Sequence, residues 1–213
     1  LPVRGRLLGD HRNPVVVVQL PSGAVRRFPA GSGPELDVRV PTEDAGVYRV
    51  ELLGRGSHGD TVIANFPVYV GEPVPSTVRL AAAAQGAARD VDSVRRELLD
   101  RINATRREAG LAALVSDEAL QRVAEAHSHD MVDHDFIGHT SPTTGSALDR
   151  VRAAHLPSGL VLENIGRGYS AEEIHRGLLE SPGHRANLVN ADVTHVGIGA
   201  VPQPEGGRSA FIV

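Results

Sequence analysis

Cysteine is absent from the 213 residues. That excludes disulfide staples, thiolate metal ligands and a cysteine nucleophile, and it leaves the redox compartment open. Tryptophan is absent too and aromatics make up 3%, so the core must rest on Leu, Val, Ile and Ala, and nothing supplies a stacking platform for nucleic-acid bases. Lysine is missing: all 22 basic residues are Arg, which reads as the imprint of a GC-rich bacterial coding sequence. A net charge of -4 gives no global field to recruit nucleic acid or an anionic membrane. No stretch approaches the roughly 18 apolar residues that a spanning helix needs, and Val15 to Val18 is far too short. The chain opens at Leu1 rather than Met, which predicts a segment of a longer product from which a signal peptide or anchor has been removed.

What is present divides the chain in two. Hydrophobic residues at 41% suffice for ordinary globular cores. Residues 1–71 predict a small antiparallel β-sandwich, with strands at Val15–Val18, Ala24–Phe28, Leu36–Val40, Gly46–Leu53 and Thr61–Val70 separated by Gly- and Pro-rich turns. Asp44-Ala45-Gly46-Val47-Tyr48 resembles the Asp-x-Gly-x-Tyr corner of immunoglobulin-like sandwiches. Residues 72–89 read as a linker and connector: Gly71-Glu72-Pro73-Val74-Pro75-Ser76 is stiff, and Ala81–Ala84 fits a short helix or connector. From Asp90 the hydrophobic period becomes helical, with Val91, Val94, Leu98, Ile102 and Thr105 on one stripe and Gly110 as the stop. Further helices are predicted from Ser116 to about Asp133, from about Thr144 to His155, and from a capping box at Ser170–Glu173. Val193–Val201 and Ser209–Val213 read as strands, so residues 90–213 predict an α+β domain.

The candidate chemistry lies in three loop-like stretches, each punctuated by Gly or Pro: Gly138-His139-Thr140-Ser141-Pro142, Glu163-Asn164-Ile165, and Ser181-Pro182-Gly183-His184-Arg185. Two imidazoles and a carboxylate suit a divalent ion such as Zn²⁺ with a coordination position left for water, or a polar ligand without metal. Equally, the histidines serve to hydrogen-bond the loops in place, with Glu163 pairing an imidazole. His127, on the apolar face of its helix, reads as a satisfied core histidine rather than a ligand. His129 with Asp133, and the run Asp130, Asp133, His134 and Asp135, read as a solvated acidic helix end. His195 reads as structural, and Ser141 before Pro142 as a turn residue rather than a nucleophile. Asn164 and Asn187 suit bonds to loop backbone. The Asn103-Ala104-Thr105 sequon is discounted because it falls within a helix. A His-Glu-x-x-His helix, a Gly-x-Ser-x-Gly elbow and a phosphate-binding glycine loop are all missing.

Six ordered motifs carry a resemblance. They are Asn103–Leu111 with Leu114, Ala126–Met131, Gly138–Pro142, Glu163–Ile165, Ser181–Asn187 and His195–Gly199. Together, over roughly residues 90–213, they resemble the CAP (SCP-like, pathogenesis-related) superfamily in its bacterial form. The resemblance implies a three-layer α-β-α sandwich with a surface cleft lined by two histidines and, in many members, two acidic residues. His139 and His184 match the histidines and would be the metal ligands; Glu163 matches the cleft glutamate. Glu180 is the nearest candidate for the second acid, and Leu178 stands where many members carry Trp. The resemblance further implies an extracytoplasmic protein (secreted, periplasmic or at the cell surface) that acts by binding protein, lipid or polysaccharide rather than by catalysis, with the β-sandwich docking it to a partner or surface. Two other readings stand beside it. One is a metal-dependent hydrolase, a peptidase or esterase with Glu163 as general base; the other is a purely structural module of a larger surface protein.

Overall fold

The computed structural model describes residues 1–77, 90–168, 170–202 and 209–212. The helix or connector expected at Ala81–Ala84 lies outside them, as do most of the 72–89 linker and Val213. Contacts divide the chain into two compact units, Leu1–Leu80 with Glu180–Gly183, and Ala81–Leu179 with His184–Val213.

In the N-terminal unit the short β-branched runs become β1 (Pro2–Arg6), β2 (Arg12–Gln19), β3 (Val25–Pro29), β4 (Glu35–Arg39), β5 (Gly46–Gly56) and β6 (Gly59–Val70). One antiparallel sheet runs β3-β2-β5-β6 and a second pairs β1 with β4. Because side chains alternate along a strand, Val16 and Val18 of β2 and Tyr48 and Val50 of β5 point to one side, where they meet Leu36 and Val38 of β4. Fully burying each such valine contributes about 1.5–3 kcal/mol. The corner expected from sequence closes as drawn: the Tyr48 hydroxyl donates to Asp44 O at 2.9 Å and accepts from Asp44 N at 3.3 Å. Strand β1 is not legible beforehand, since Pro-Val-Arg-Gly-Arg offers a single apolar residue and takes its strand form from pairing with β4.

From Val91 onward the chain forms α1 (Val91–Glu108), β7 (Val115–Ser116), α2 (Glu118–Asp133), α3 (Ala147–Ala153), β8 (Ile165–Gly168), α4 (Ala171–Glu180), α5 (Pro182–Leu188), β9 (His195–Val196), β10 (Gly199–Pro202) and β11 (Ser209–Ile212). Asp90 caps α1 by accepting from Asp92 N and Ser93 N, and Asp117 caps α2 by accepting from Ala119 N and Leu120 N. A reciprocal Ser146–Asp149 capping box sets the start of α3 at Ala147, three residues later than Thr144. Antiparallel β10-β11-β8 forms the sheet, and β7 pairs with β9 in parallel.

The alternation through Gly197–Ala200 explains the layers. Ile198 and Ala200 face a core made by Val94, Leu98 and Ile102 of α1 with Ile174 and Leu178 of α4. Gly197 and Gly199 face the other way, onto α2. A Cβ on Gly197 would come within 2.1 Å of the Leu120 backbone, and one on Gly199 within 2.3 Å of the Ala124 backbone, so only glycine permits this approach. Helices thus cover both faces of the sheet, giving three α-β-α layers. Among the described residues no helix is long and apolar enough to cross a membrane.

One expected loop is a helix. Ser181–Arg185 reads as loop because of Pro182 and Gly183, yet Pro182 opens α5. Proline is tolerated at the first helical position, where its missing N–H would have had no intrahelical partner.

Candidate functional site

His139 sits in the irregular segment between α2 and α3, Glu163 just ahead of β8, and His184 in the first turn of α5. The His139 imidazole, 34% exposed, places Nδ1 2.9 Å from Glu163 Oε1, whose side chain is 10% exposed. A carboxylate only accepts, so Nδ1 carries the proton, and in the neutral ring Nε2 keeps its lone pair. The other Glu163 oxygen is taken as well: Arg150 Nη2 donates to Oε2 at 2.5 Å. Burial by itself would raise the Glu163 pKa, but the hydrogen bond with His139 and the Arg150 charge outweigh it, and the carboxyl lies below its ordinary value.

Arg150, on α3 and with its side chain 5% exposed, joins several parts of this cluster. Its Nη1 donates to Gly145 O at 2.7 Å and to His139 O at 3.4 Å. It thus fixes the backbone of His139 while holding the carboxylate that fixes the ring. Helix α2 holds the same segment from beneath. His127, buried at 1%, has Nε2 3.0 Å from Gly138 O, so that nitrogen donates. Burial pushes its pKa down, keeping the ring neutral. Asp130 Oδ1 accepts from the Thr143 hydroxyl at 3.2 Å. The Ser141 hydroxyl accepts from the N–H groups of Thr143 and Thr144, each at 3.0 Å, so it closes a turn and is not presented as a nucleophile.

His184 reaches the cluster through two asparagines. Asn164 Nδ2 donates to His184 O at 3.0 Å, and Asn187, one turn further along α5, donates to Glu163 O at 3.2 Å and to Asn164 Oδ1 at 2.9 Å. Burial first, and then the His139 charge, lower the His184 pKa to about 4. A charge on His139 therefore disfavours one on His184. The far end of α5 is held by Arg106 of α1. That guanidinium is buried at 2% and donates to Ala112 O, Leu188 O, Asn190 O and Val193 O at 2.8–3.3 Å.

The described bonds therefore join the His139 and Glu163 side chains and the backbone carbonyl of His184 into one lattice. Glu180 stays out of it: its side chain is exposed at the end of α4, and no described bond links it to the other three. Leu178 is buried in the α1–α4 core. Among the described residues no three His, Asp or Glu side chains form a metal-binding group. Asp130, expected in a solvated helix end, instead turns inward with its side chain 10% exposed, because position 130 shares the buried helix face of His127 and Met131. His195 is exposed at the start of β9. Asn103, discounted as a sequon, bonds both the N–H and the carbonyl of Leu114.

Sequence reasoning passed over Arg150 and Arg106. Each had a readable signal, a cation on an apolar stripe: Arg150 lies with Ala147 and Val151, and Arg106 continues Leu98 and Ile102.

Comparison with known proteins identifies the family. The model of the cysteine-rich secretory protein family, CAP, matches residues 99–213. The uncharacterized protein YkwD of Bacillus subtilis (strain 168) is 34% identical over 128 residues, covering 60% of this chain and 50% of YkwD. The chain thus spans half the length of that relative. Among solved structures, an outer surface protein from Borrelia burgdorferi aligns with a TM-score of 0.52 at 22% identity, over 60% of this chain and 95% of that one. An extracellular protein containing an SCP domain from Bacillus anthracis str. Ames gives 0.51 at 20% identity, over 81% and 65%. At these identities the two structures speak for the fold alone.

Proposed function

The chain belongs to the CAP family, the cysteine-rich secretory proteins, and from that premise we propose an extracytoplasmic bacterial binding module whose cleft presents His139 and His184 to a divalent cation or a small polar ligand. The observation that carries this reading is the 2.9 Å bond from His139 Nδ1 to Glu163, with Arg150 on the other carboxylate oxygen. It turns His139 Nε2 into the ligating atom and gives Glu163 the task of orienting it, as carboxylates commonly do for metal-bound imidazoles. His184, with its pKa near 4, is a neutral imidazole at physiological pH and needs no deprotonation to ligate. Zinc sites ordinarily draw three or four protein ligands and the described residues form no such group, so a cation held by His139 and His184 alone would complete its shell with water and bind weakly. A bound ion would act there as a Lewis acid.

The hydrolase reading is weaker on the same geometry. A general base works best with a pKa near the operating pH, and the bonds from His139 and Arg150 hold the Glu163 carboxyl below its ordinary value. Extracytoplasmic location accords with the description of the matching family as secretory proteins. A Zn²⁺ titration by calorimetry tests the proposal. The wild-type chain should bind with micromolar affinity or weaker, and His139→Ala with His184→Ala should abolish the heat. Unchanged binding by the double variant would refute the assignment.

A further inference from the structure

Behind the histidine lattice lies a cavity of about 400 Å³ that none of the chemistry above uses. Its walls come from α2 (Leu120, Val123), α3 (Ala147, Val151) and the irregular segment 157–162, which contributes Leu160 and Leu162. The inner end is the reverse side of the lattice, formed by Arg150, Glu163, Asn164 and Asn187. We infer that this cavity is a second binding site, distinct from the histidine pair, for a compact neutral and mainly aliphatic molecule.

Three features set that ligand class. The volume corresponds to roughly a dozen water molecules, hence to a ligand of about ten heavy atoms, and it falls in the usual range for small-molecule pockets. The lining is mostly Leu, Val and Ala, so enclosed water would find few hydrogen-bonding partners while an aliphatic chain would fill the space favourably. At the inner end Arg150 and Glu163 pair with each other, and the other ionisable lining residues, Asp192 and His195, are exposed to solvent, so no buried unmatched charge awaits an ionic head group. At the mouth Leu160 is 53% exposed, an apolar side chain with no packing reason to face water. Segment 157–162 forms no helix or strand and leads directly into Glu163, so its walls can adjust without breaking a ladder of backbone bonds. The inference rests on the cavity and not on the metal reading, since neither imidazole lines it.

The test uses 1-octanol as the probe, followed by amide NMR shifts on the full chain. Saturable shifts are expected at Val123, Ala147, Leu160 and Leu162, with none at Val16 or Val50 in the β unit. Ala147→Phe, which fills the cavity, should weaken octanol binding at least tenfold. Should that variant fail to fold, Leu160→Asp at the exposed mouth should weaken it several-fold with the spectrum otherwise retained. The His139→Ala, His184→Ala double variant should bind octanol as the wild type does, which separates failure of this site from failure of the metal site. Absence of saturable shifts in the wild type, or undiminished binding by a folded Ala147→Phe, overturns the inference.

Discussion

The two units solve the problem of holding irregular backbone differently. In the β unit the core cluster is aliphatic apart from Tyr48, whose one polar atom is used locally at the Asp44 corner. In the CAP unit, buried cations and amides reach across long sequence separations: Arg106 to Leu188 and Val193, Arg150 to Glu163, Asn164 to His184. A sandwich satisfies its backbone through strand ladders and needs mainly apolar filling; the Glu51 carboxyl, 1% exposed on β5, is the exception here. A cleft made of loops and short helices leaves carbonyls without ladder partners, and these must be met by side chains. Stability in the first unit should therefore scale with buried area, and in the second with a few polar atoms.

The sharpest break in that contrast should come from Arg106. Replacing it with Met keeps most of the volume but strands four carbonyls, so the CAP unit should lose about 4 kcal/mol. Denaturant unfolding followed by hydrogen exchange should show α1 and α5 opening early while β2 and β5 stay protected. Arg150→Met comes next. It leaves Glu163 Oε2 buried without its cation, for about 3 kcal/mol, and because His139 loses its support, Zn²⁺ affinity measured by calorimetry should drop about tenfold or more. A loss of stability with unchanged Zn²⁺ affinity would separate folding from site support.

Acid provides a third lever. The folded His184 pKa lies near 4 against an ordinary 6.5, so between those values the unfolded chain holds a proton that the folded chain does not. Stability from this group is then constant above pH 6.5 and falls as the pH drops toward 4, by roughly 1–3 kcal/mol. Melting curves across that range should show the fall, and His184→Gln should flatten it. The smallest effect belongs to the β unit: Tyr48→Phe removes both corner hydrogen bonds of the hydroxyl and should cost about 1 kcal/mol, without moving Zn²⁺ affinity.

The same contrast explains what could be read beforehand. Strand alternation in β2 and β5, and the Val94–Leu98–Ile102 stripe of α1, are local signals that tertiary contacts reinforce. Strand β8 was not expected because Gly166 and Gly168 give no alternation; its form comes from pairing with β11. Helix α5 was hidden by Pro182 and Gly183. His139, Glu163 and His184 were legible as residue types in ordered motifs, and the observed bonds bring them into one lattice, His184 through its backbone carbonyl. Arg150 and Asp130 were not, because a charged side chain on a helix reads as solvated until the acceptor or donor it meets, distant in sequence, is known. Glu180 shows the converse: proximity to His184 in sequence did not give it a place among the bonded groups.

Everything proposed for the cleft turns on Glu163 setting the His139 tautomer, so that Nε2 faces a cation shared with His184. Long-range ¹H–¹⁵N NMR of the histidine side chains during a Zn²⁺ titration tests this most directly. A protonated Nδ1 and unprotonated Nε2 are expected at His139 before zinc, followed by saturable shifts of His139 Nε2 and of the His184 ring. An Nε2-protonated His139, or a titration that leaves both rings unmoved, would contradict it.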